Sequence, residues 1–417
     1  MRRIYDPLHG FIAINQLEAQ LINTWPFQRL RSIRQLGSAF LVYPGATHTR
    51  FEHTLGVMEL ATRIFDRCLM AGAGPVLVDP PYARQVIRLA ALCHDLGHLP
   101  FSHTAEFALL GEEGHEKKTI AVISSDYLQP VWERAEATFP GCQIAKDVIK
   151  VAVGEKKLRE LYPDRLPPFS SSDRALCQII SGDFFGADRI DYLLRDARCT
   201  GVSYGYFDYE QLIETIRILP SLYKADEPDM GVDQEGIEAC EALLVARHFM
   251  HKRVYKYSKV KSCGFHLTRF MRILLGRDFR NRSIFEYLNW TDNEVLSALH
   301  RSAQDPQSPG YEEAIYLNDS TQRYRAFPFP SSFTENHAHE LSQHMNLPPE
   351  AIGWEFPKPT PEDSHVFPVL GRDRQILSSA DCLQVKIPLQ SPGWVYVAPP
   401  FSQEVARVLS SFTEAEL

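Results

Sequence analysis

Three short words in the sequence hold residue types that do metal and phosphate chemistry: RFEHTLG (50–56), LCHDLGHLPFSHTAE (92–106) and GADRIDYLLRD (186–196). In the second, His94 and Asp95 follow the apolar helical run Val86, Leu89, Ala90, Cys93, and Gly97 and Pro100 end that helix almost at once. An imidazole nitrogen and a carboxylate oxygen at a helix end can face one point. Two donors are too few for a hard divalent ion, which takes about six, so others must come from elsewhere. His53 sits on the preceding helical segment, and Asp188 opens a later one. Histidine is also unevenly spread: six of the fifteen (His48, His53, His94, His98, His103, His115) lie between 48 and 115, where even spreading would put about two and a half. A lone buried histidine is ordinarily a satisfied core residue and a His-Asp dipeptide arises by chance. The company of all four, with Arg50 three residues before His53, points to a metal centre.

The 44 basic and 52 acidic residues sum to −8, so no global field draws polyanions or anionic membranes, and no nucleic-acid partner is indicated. A polyanion must meet a local patch. The segment RHFMHKRVYKYSKVK (247–261) supplies one, with six cations and no acid. As one continuous helix it would set Arg247, His251, Tyr255 and Lys259 on a single face, with Lys252, Arg253 and Lys261 on a solvated one. Along the segment that opens at Asp188, Tyr192 and Asp196 recur at the same four-residue step, while Asp191, Arg195 and Arg198 suit local ion pairs. A metal beside such groups can polarise phosphate oxygens or acidify water, and a histidine titrating near neutrality can move the proton.

The elements that must position these residues are mostly helical from about 16 to 300, with loops over 71–81 and 161–173. From 301 to 364, QDPQSPG, FPFPSS, LPPE and FPKPTPED predict an irregular, proline-rich connection. Beyond 365, LQVKIPL and WVYVAPP read as strands joined by a QSPG turn, and FSQEVARVLSSF as a helix capped by Ser402 before Val405, Val408 and Leu409. The expected fold is mainly α: a helical domain over 1–300, the connection, and a small α/β lobe over 365–417. Eight scattered cysteines without a CxxC pair suit reduced thiols. No apolar run approaches the roughly 20 residues of a membrane span, and MRRIYDPLHGF has no signal-like stretch, so a cytoplasmic location is expected.

The order H…HD…D, with DPLHGFI (6–12), FQRLRSIRQLG (27–37), YPGATHTRFEHTLGV (43–57), HDLGHLPFSH (94–103), DRIDYLLRD (188–196) and the basic segment, resembles the HD-domain phosphohydrolase superfamily and its deoxynucleoside triphosphate triphosphohydrolase branch of the SAM-and-HD-domain type. The resemblance implies an HD-domain helical fold and hydrolysis of dNTPs to deoxynucleoside and tripolyphosphate. It makes His53, His94, Asp95 and Asp188 the ligands of a divalent metal, with Mn, Mg, Fe, Ni or Zn all suited to the donors. It makes His115 the catalytic histidine, oriented by Glu106, with His98 or His103 as sharers of that role. Arg50, His98, His103, Arg189 and Arg247 become phosphate contacts. Gln35 and Leu36 cup the sugar, Tyr192 and Tyr255 flank it, and Asp196 accepts from a 3′-hydroxyl.

The same resemblance places an activating nucleotide at a subunit contact near FQRLR, with Gln28 and Arg31 present, and implies a homodimer or tetramer. Asn23 stands where the guanine-activated members carry Asp. An amide cannot offer a guanine edge the same two acceptors, which turns the expectation from GTP to another activator or to constitutive activity. Two other readings stay open: a related hydrolase of nucleoside monophosphates or cyclic nucleotides, and a nucleotide-sensing regulator of low activity.

Overall fold

The computed structural model describes residues 2–165, 167–224, 227–329, 333–356, 366–385, 387 and 392–414. Eight helices position the candidate site: α1 (Arg50–Cys68), α2 (Pro80–Cys93), α3 (Gly114–Ile123), α4 (Ile144–Val153), α5 (Ser171–Ser181), α6 (Ala187–Thr200), α7 (Ile237–Met250) and α8 (Ser258–Leu275). α1 packs on α2 and α6, and α4 packs on α2 and α5. The Glu52 carboxylate accepts from the Thr49 N–H at 2.9 Å and fixes the first turn of α1. Behind it Leu55, Met58, Ile64 and Phe65 are buried at helical spacing. Prolines at the first two positions of α2 start it inside the stretch expected as loop.

Gly56 lets α1 and α6 touch, because a Cβ there would collide with the Asp191 carboxylate and the Arg195 guanidinium. Ahead of the helices, β1 (Arg2–Asp6) and β2 (Gly10–Ile14) form an antiparallel hairpin with Arg2 opposite Ile14.

The helical stretch is interrupted in two places. β3 (Ile216–Pro220) and β4 (Pro228–Asp233) pair antiparallel. The basic segment is not one helix: α7 passes into a π-turn over His251–Tyr255, and the chain is extended at Tyr257 before α8. Lys259 therefore leaves the face of Arg247, His251 and Tyr255, and is exposed.

Among its described residues the segment 301–364 is more than an irregular connection, and FPKPTPED falls almost wholly outside them. The segment carries helices Tyr311–Asn318 and Glu335–His344 and strands β5 (Arg325–Phe329) and β6 (Ile352–Glu355). Pro328 is tolerated in β5 because that strand lies at the edge of the sheet β5-β9-β6, where a missing N–H breaks no second ladder. β7 (Pro368–Leu370) pairs parallel with β4 and antiparallel with β8 (Ile376–Ser378), so Phe367 and Val369 join the main core. β9 (Gly393–Val397) pairs with β5 and β6 over a second core of Phe329, Phe333, Leu341, Val395, Val397, Val405 and Leu409.

WVYVAPP thus supplies a strand as expected. Leu383–Val385 of LQVKIPL is not strand; the rest of that word and the QSPG turn fall largely outside the described residues. Ser402 does not cap the last helix. It is already helical, and its hydroxyl donates to the Pro399 carbonyl at 2.8 Å. Among the described residues no helix is long and apolar enough to cross a membrane.

Candidate active site

The ends of three helices bring four donors together. His53, fully buried on α1, has Nε2 at 3.0 Å from Asp188 Oδ1 and 3.7 Å from Asp95 Oδ2. His94 follows the last residue of α2, and its Nε2 lies 3.3 Å from Asp95 Oδ1 and 3.8 Å from Asp188 Oδ1. Both Nε2 atoms are buried with no hydrogen-bond partner, while the opposite nitrogens are held. His94 Nδ1 bonds the Ala91 carbonyl at 2.7 Å, and His53 Nδ1 bonds Asp191 Oδ2 at 2.8 Å. Tying Nδ1 in this way aims Nε2 at a metal. The side chains themselves call for a cation: burial opposes charge on His53, yet Asp188 and Asp191 lift it to about 10. Burial also opposes charge on Asp95, but Arg50, His94 and His98 hold its carboxyl well below the usual range. Two imidazoles and two carboxylates with orphaned nitrogens fit a divalent metal.

Asp191 does more than the local ion pair expected of it. Fully buried, it accepts from Arg195 Nε and Nη2 at 2.8 and 2.9 Å, and meets His53 Nδ1 and, at 2.6 Å, His9 Nε2. Asp6 closes the cluster by accepting from Arg195 Nη1 at 2.8 Å and from the His9 N–H at 2.9 Å. His9 and Asp6 escaped the sequence reading as functional candidates. The DPLHG word was their only signal, since Arg195 reaches Asp6 across 189 positions.

The loop after Asp95 carries His98 and His103, and His115 lies in the first turn of α3. Gly97 has no room for a Cβ against the α3 backbone at His115 and Thr119. His98, 1% exposed, lies 3.2 Å from Asp95 Oδ1 and stacks on His115 with ring centroids 3.6 Å apart. Glu106 binds His115 Nδ1 at 2.6 Å through one oxygen and His103 Nδ1 at 2.5 Å through the other. Burial opposes charge on His115, but Glu106 raises its pKa; burial, Arg50 and His115 push His98 well down. Of the two stacked rings, His115 is thus the one whose protonated form its surroundings favour. Arg50 donates to Asp95 Oδ2 at 2.5 Å and to Ser102 Oγ at 2.7 Å.

Phe101 and Ser102 hold left-handed backbone, with φ of 59° and 55°, a conformation that costs non-glycine residues about 1–2 kcal/mol each. Asp292, fully buried, pins it by accepting from the Phe101 N–H at 2.7 Å and the Arg34 N–H at 3.0 Å. Asp292→Ala leaves both donors unpaired and is expected to cost about 2–3 kcal/mol, read as a lower urea midpoint at constant m-value. Asp292→Asn keeps an acceptor and should lose less.

The α6 face continues from Asp188 to Tyr192 and Asp196. Asp196 is buried and bonded to His48 Nε2 at 2.7 Å and to the Tyr255 hydroxyl at 2.8 Å; the Tyr192 and Tyr255 rings are 6.1 Å apart. The Gln35 N–H donates to the His48 carbonyl at 3.0 Å, Gln35 Oε1 is a buried atom without a partner, and Leu36 packs on the core. Arg189 is folded back onto the Phe184 carbonyl at 2.7 Å. Burial and the adjacent Arg189 lower Arg247, and burial with Lys256, Arg247, Arg189 and His248 pushes His251 down to about 3. Cationic side chains thus gather there without Lys259. Of the regulatory candidates, Asn23 lines a cavity of about 620 Å³ with Arg2, Asn15, Gln16 and Arg134. Gln28 and Arg31 instead pair with each other at 2.9 Å, and the Arg31 guanidinium lies over Phe51.

Residues 50–169 match the HD domain family. The chain is 32% identical over 324 residues to an uncharacterised protein of Methanocaldococcus jannaschii, covering 78% of this chain and 60% of that one. It is 34% identical over 274 residues to the human deoxynucleoside triphosphate triphosphohydrolase SAMHD1, covering 62% and 42%. The chain thus spans about half the length of these curated relatives. A solved hypothetical protein from Aquifex aeolicus superposes with a TM-score of 0.72 at 28% identity, covering 97% of this chain and 98% of that one. With its helical body, the matched segment 50–169 and the H…HD…D residues gathered at three helix ends, the chain carries an HD domain and is similar to HD-domain phosphohydrolases of the SAMHD1 type.

Proposed function

We propose that the protein is a metal-dependent dNTP triphosphohydrolase that releases deoxynucleoside and tripolyphosphate. The observation that carries this reading is the meeting of His53, His94, Asp95 and Asp188 beside His115, whose Nδ1 Glu106 holds and whose protonated form it favours. Bound by those four donors, the metal supplies Lewis-acid polarisation of a phosphate oxygen and lowers the pKa of a water. Arg50, His98 and His103 lie on the phosphate side; Arg247 and Arg189 provide a cationic field for the rest of the triphosphate. His115, with Nδ1 committed to Glu106, presents Nε2–H to the departing 5′-oxygen as general acid. Gln35, Leu36, Tyr192, Asp196 and Tyr255 receive the deoxyribose.

The cavity at Asn23 would take the activating nucleotide, with Arg2 and Arg134 matching an anion and assembly into a dimer or tetramer following. Sedimentation with and without dNTPs tests that part. The activity is tested by incubating four dNTPs and four rNTPs with Mn, Mg, Fe, Ni or Zn. Tripolyphosphate from dNTPs is the expected product. Orthophosphate alone, or turnover of monophosphates or cyclic nucleotides only, would replace this reading with another HD hydrolase, and tight binding without turnover would make the protein a sensor.

A further inference from the structure

His48 belongs to neither the metal quartet nor the acid cluster, yet it is 6% exposed and built into the site. Its carbonyl accepts from the Gln35 N–H at 3.0 Å, and Arg34 and Thr49 form an antiparallel bridge beside it. The backbone that carries Gln35 and Leu36 is thereby tied to the backbone of His48. Its Nε2 lies 2.7 Å from Asp196 Oδ1, while the Tyr255 hydroxyl donates to Asp196 Oδ2 at 2.8 Å. Both carboxylate oxygens are thus engaged from within the protein. An ionised carboxylate has about four acceptor sites, so each oxygen keeps capacity for a further donor. A carboxylate held at both oxygens cannot rotate, and its remaining lone pairs point in fixed directions.

We infer that His48 is a positioning residue for sugar recognition, locking the Asp196 carboxylate in the orientation that accepts a nucleoside 3′-hydroxyl. The inference rests on the dNTPase reading and on the place of Asp196 within it. Burial opposes charge on His48, but Asp196 and Cys199 outweigh it and lift the imidazole to about 9, so the Nε2–H donor persists through the neutral range. A histidine that served the fold alone would be indifferent to whether the substrate has a 3′-hydroxyl.

The test uses the full chain loaded with metal and measures kcat/KM for the dNTP that is turned over fastest and for the 2′,3′-dideoxynucleotide of the same base. The wild type should prefer the dNTP by tenfold or more. His48→Ala should lower kcat/KM for the dNTP about tenfold, chiefly through KM, and leave the dideoxynucleotide nearly unchanged, so that the preference collapses. His48→Gln can return an amide donor to the Nε2 position and should restore most of the preference. The ratio is taken on one preparation, so it does not depend on the folded fraction. If His48→Ala does not accumulate, His48→Asn, whose shorter amide falls short of Asp196, gives the same reading. Equal losses on both substrates, or no recovery with Gln, would overturn the inference. A wild type that hydrolyses no dNTP, or treats the two substrates alike, would overturn the reading beneath it and the inference with it; that failure is seen before any substitution is made.

Discussion

Replacing His94 with alanine is expected to lower dNTP hydrolysis by about 10³-fold or more, with bound metal falling in parallel and the melting temperature moving little. His94 stands just past the end of α2. Its ring bonds only the Ala91 carbonyl three residues back, and its Nε2 faces the donors of Asp95 and Asp188. Removing it would delete one of the proposed ligands while the buried stripe of α2 (Val86, Leu89, Ala90, Cys93) stays intact. His53→Ala should match it in activity but not in stability. His53 is fully buried and is one of three side chains satisfying Asp191, so its loss opens a cavity and strips a hydrogen bond from a buried carboxylate. Metal content by elemental analysis and melting temperature on the same samples separate the two. A His94→Ala protein that keeps both its metal and its turnover would remove His94 from the ligand set.

How much of this was legible in the sequence follows from chain distance. His94 and Asp95 are neighbours, Gly97 and Pro100 mark the helix end that presents them, and Asp188, Tyr192 and Asp196 share a face by helical periodicity alone. The Asp191 cluster was half legible: Arg195 is four residues on, but His9 and Asp6 come from a hairpin whose docking no local pattern encodes. The basic segment has a helical period throughout, so the π-turn that removes Lys259 from the Arg247 face could not be read from spacing. In the C-terminal third, prolines signalled irregular chain. A proline on an edge strand leaves no such trace, and the parallel pairing of β4 with β7 joins residues more than a hundred positions apart. No local pattern gives His48 a role, because its partner, Asp196, lies 148 positions away.

Glu106→Gln is expected to lower kcat by about 10²–10³-fold and to shift the alkaline limb of the pH–kcat profile to lower pH. In the proposed role of general acid His115 acts in its protonated form, so activity should be lost as pH rises through its pKa. Burial alone would depress that pKa, and the Glu106 carboxylate at 2.6 Å raises it. A neutral amide can still accept from Nδ1–H but supplies no negative charge, so the imidazolium loses its stabilisation and deprotonates earlier. His98 cannot take over, because burial, Arg50 and His115 hold it neutral well below its usual range. His103, the other Glu106 partner, is 66% exposed at its side chain and lies on the solvent side of the pair. His115→Gln should remove the alkaline limb altogether with a loss of about 10²–10⁴-fold, while metal content stays at the wild-type level because none of the four donors is touched. A limb that stays in place in Glu106→Gln would mean that another group sets it, and the role of acid would pass from His115 to that group.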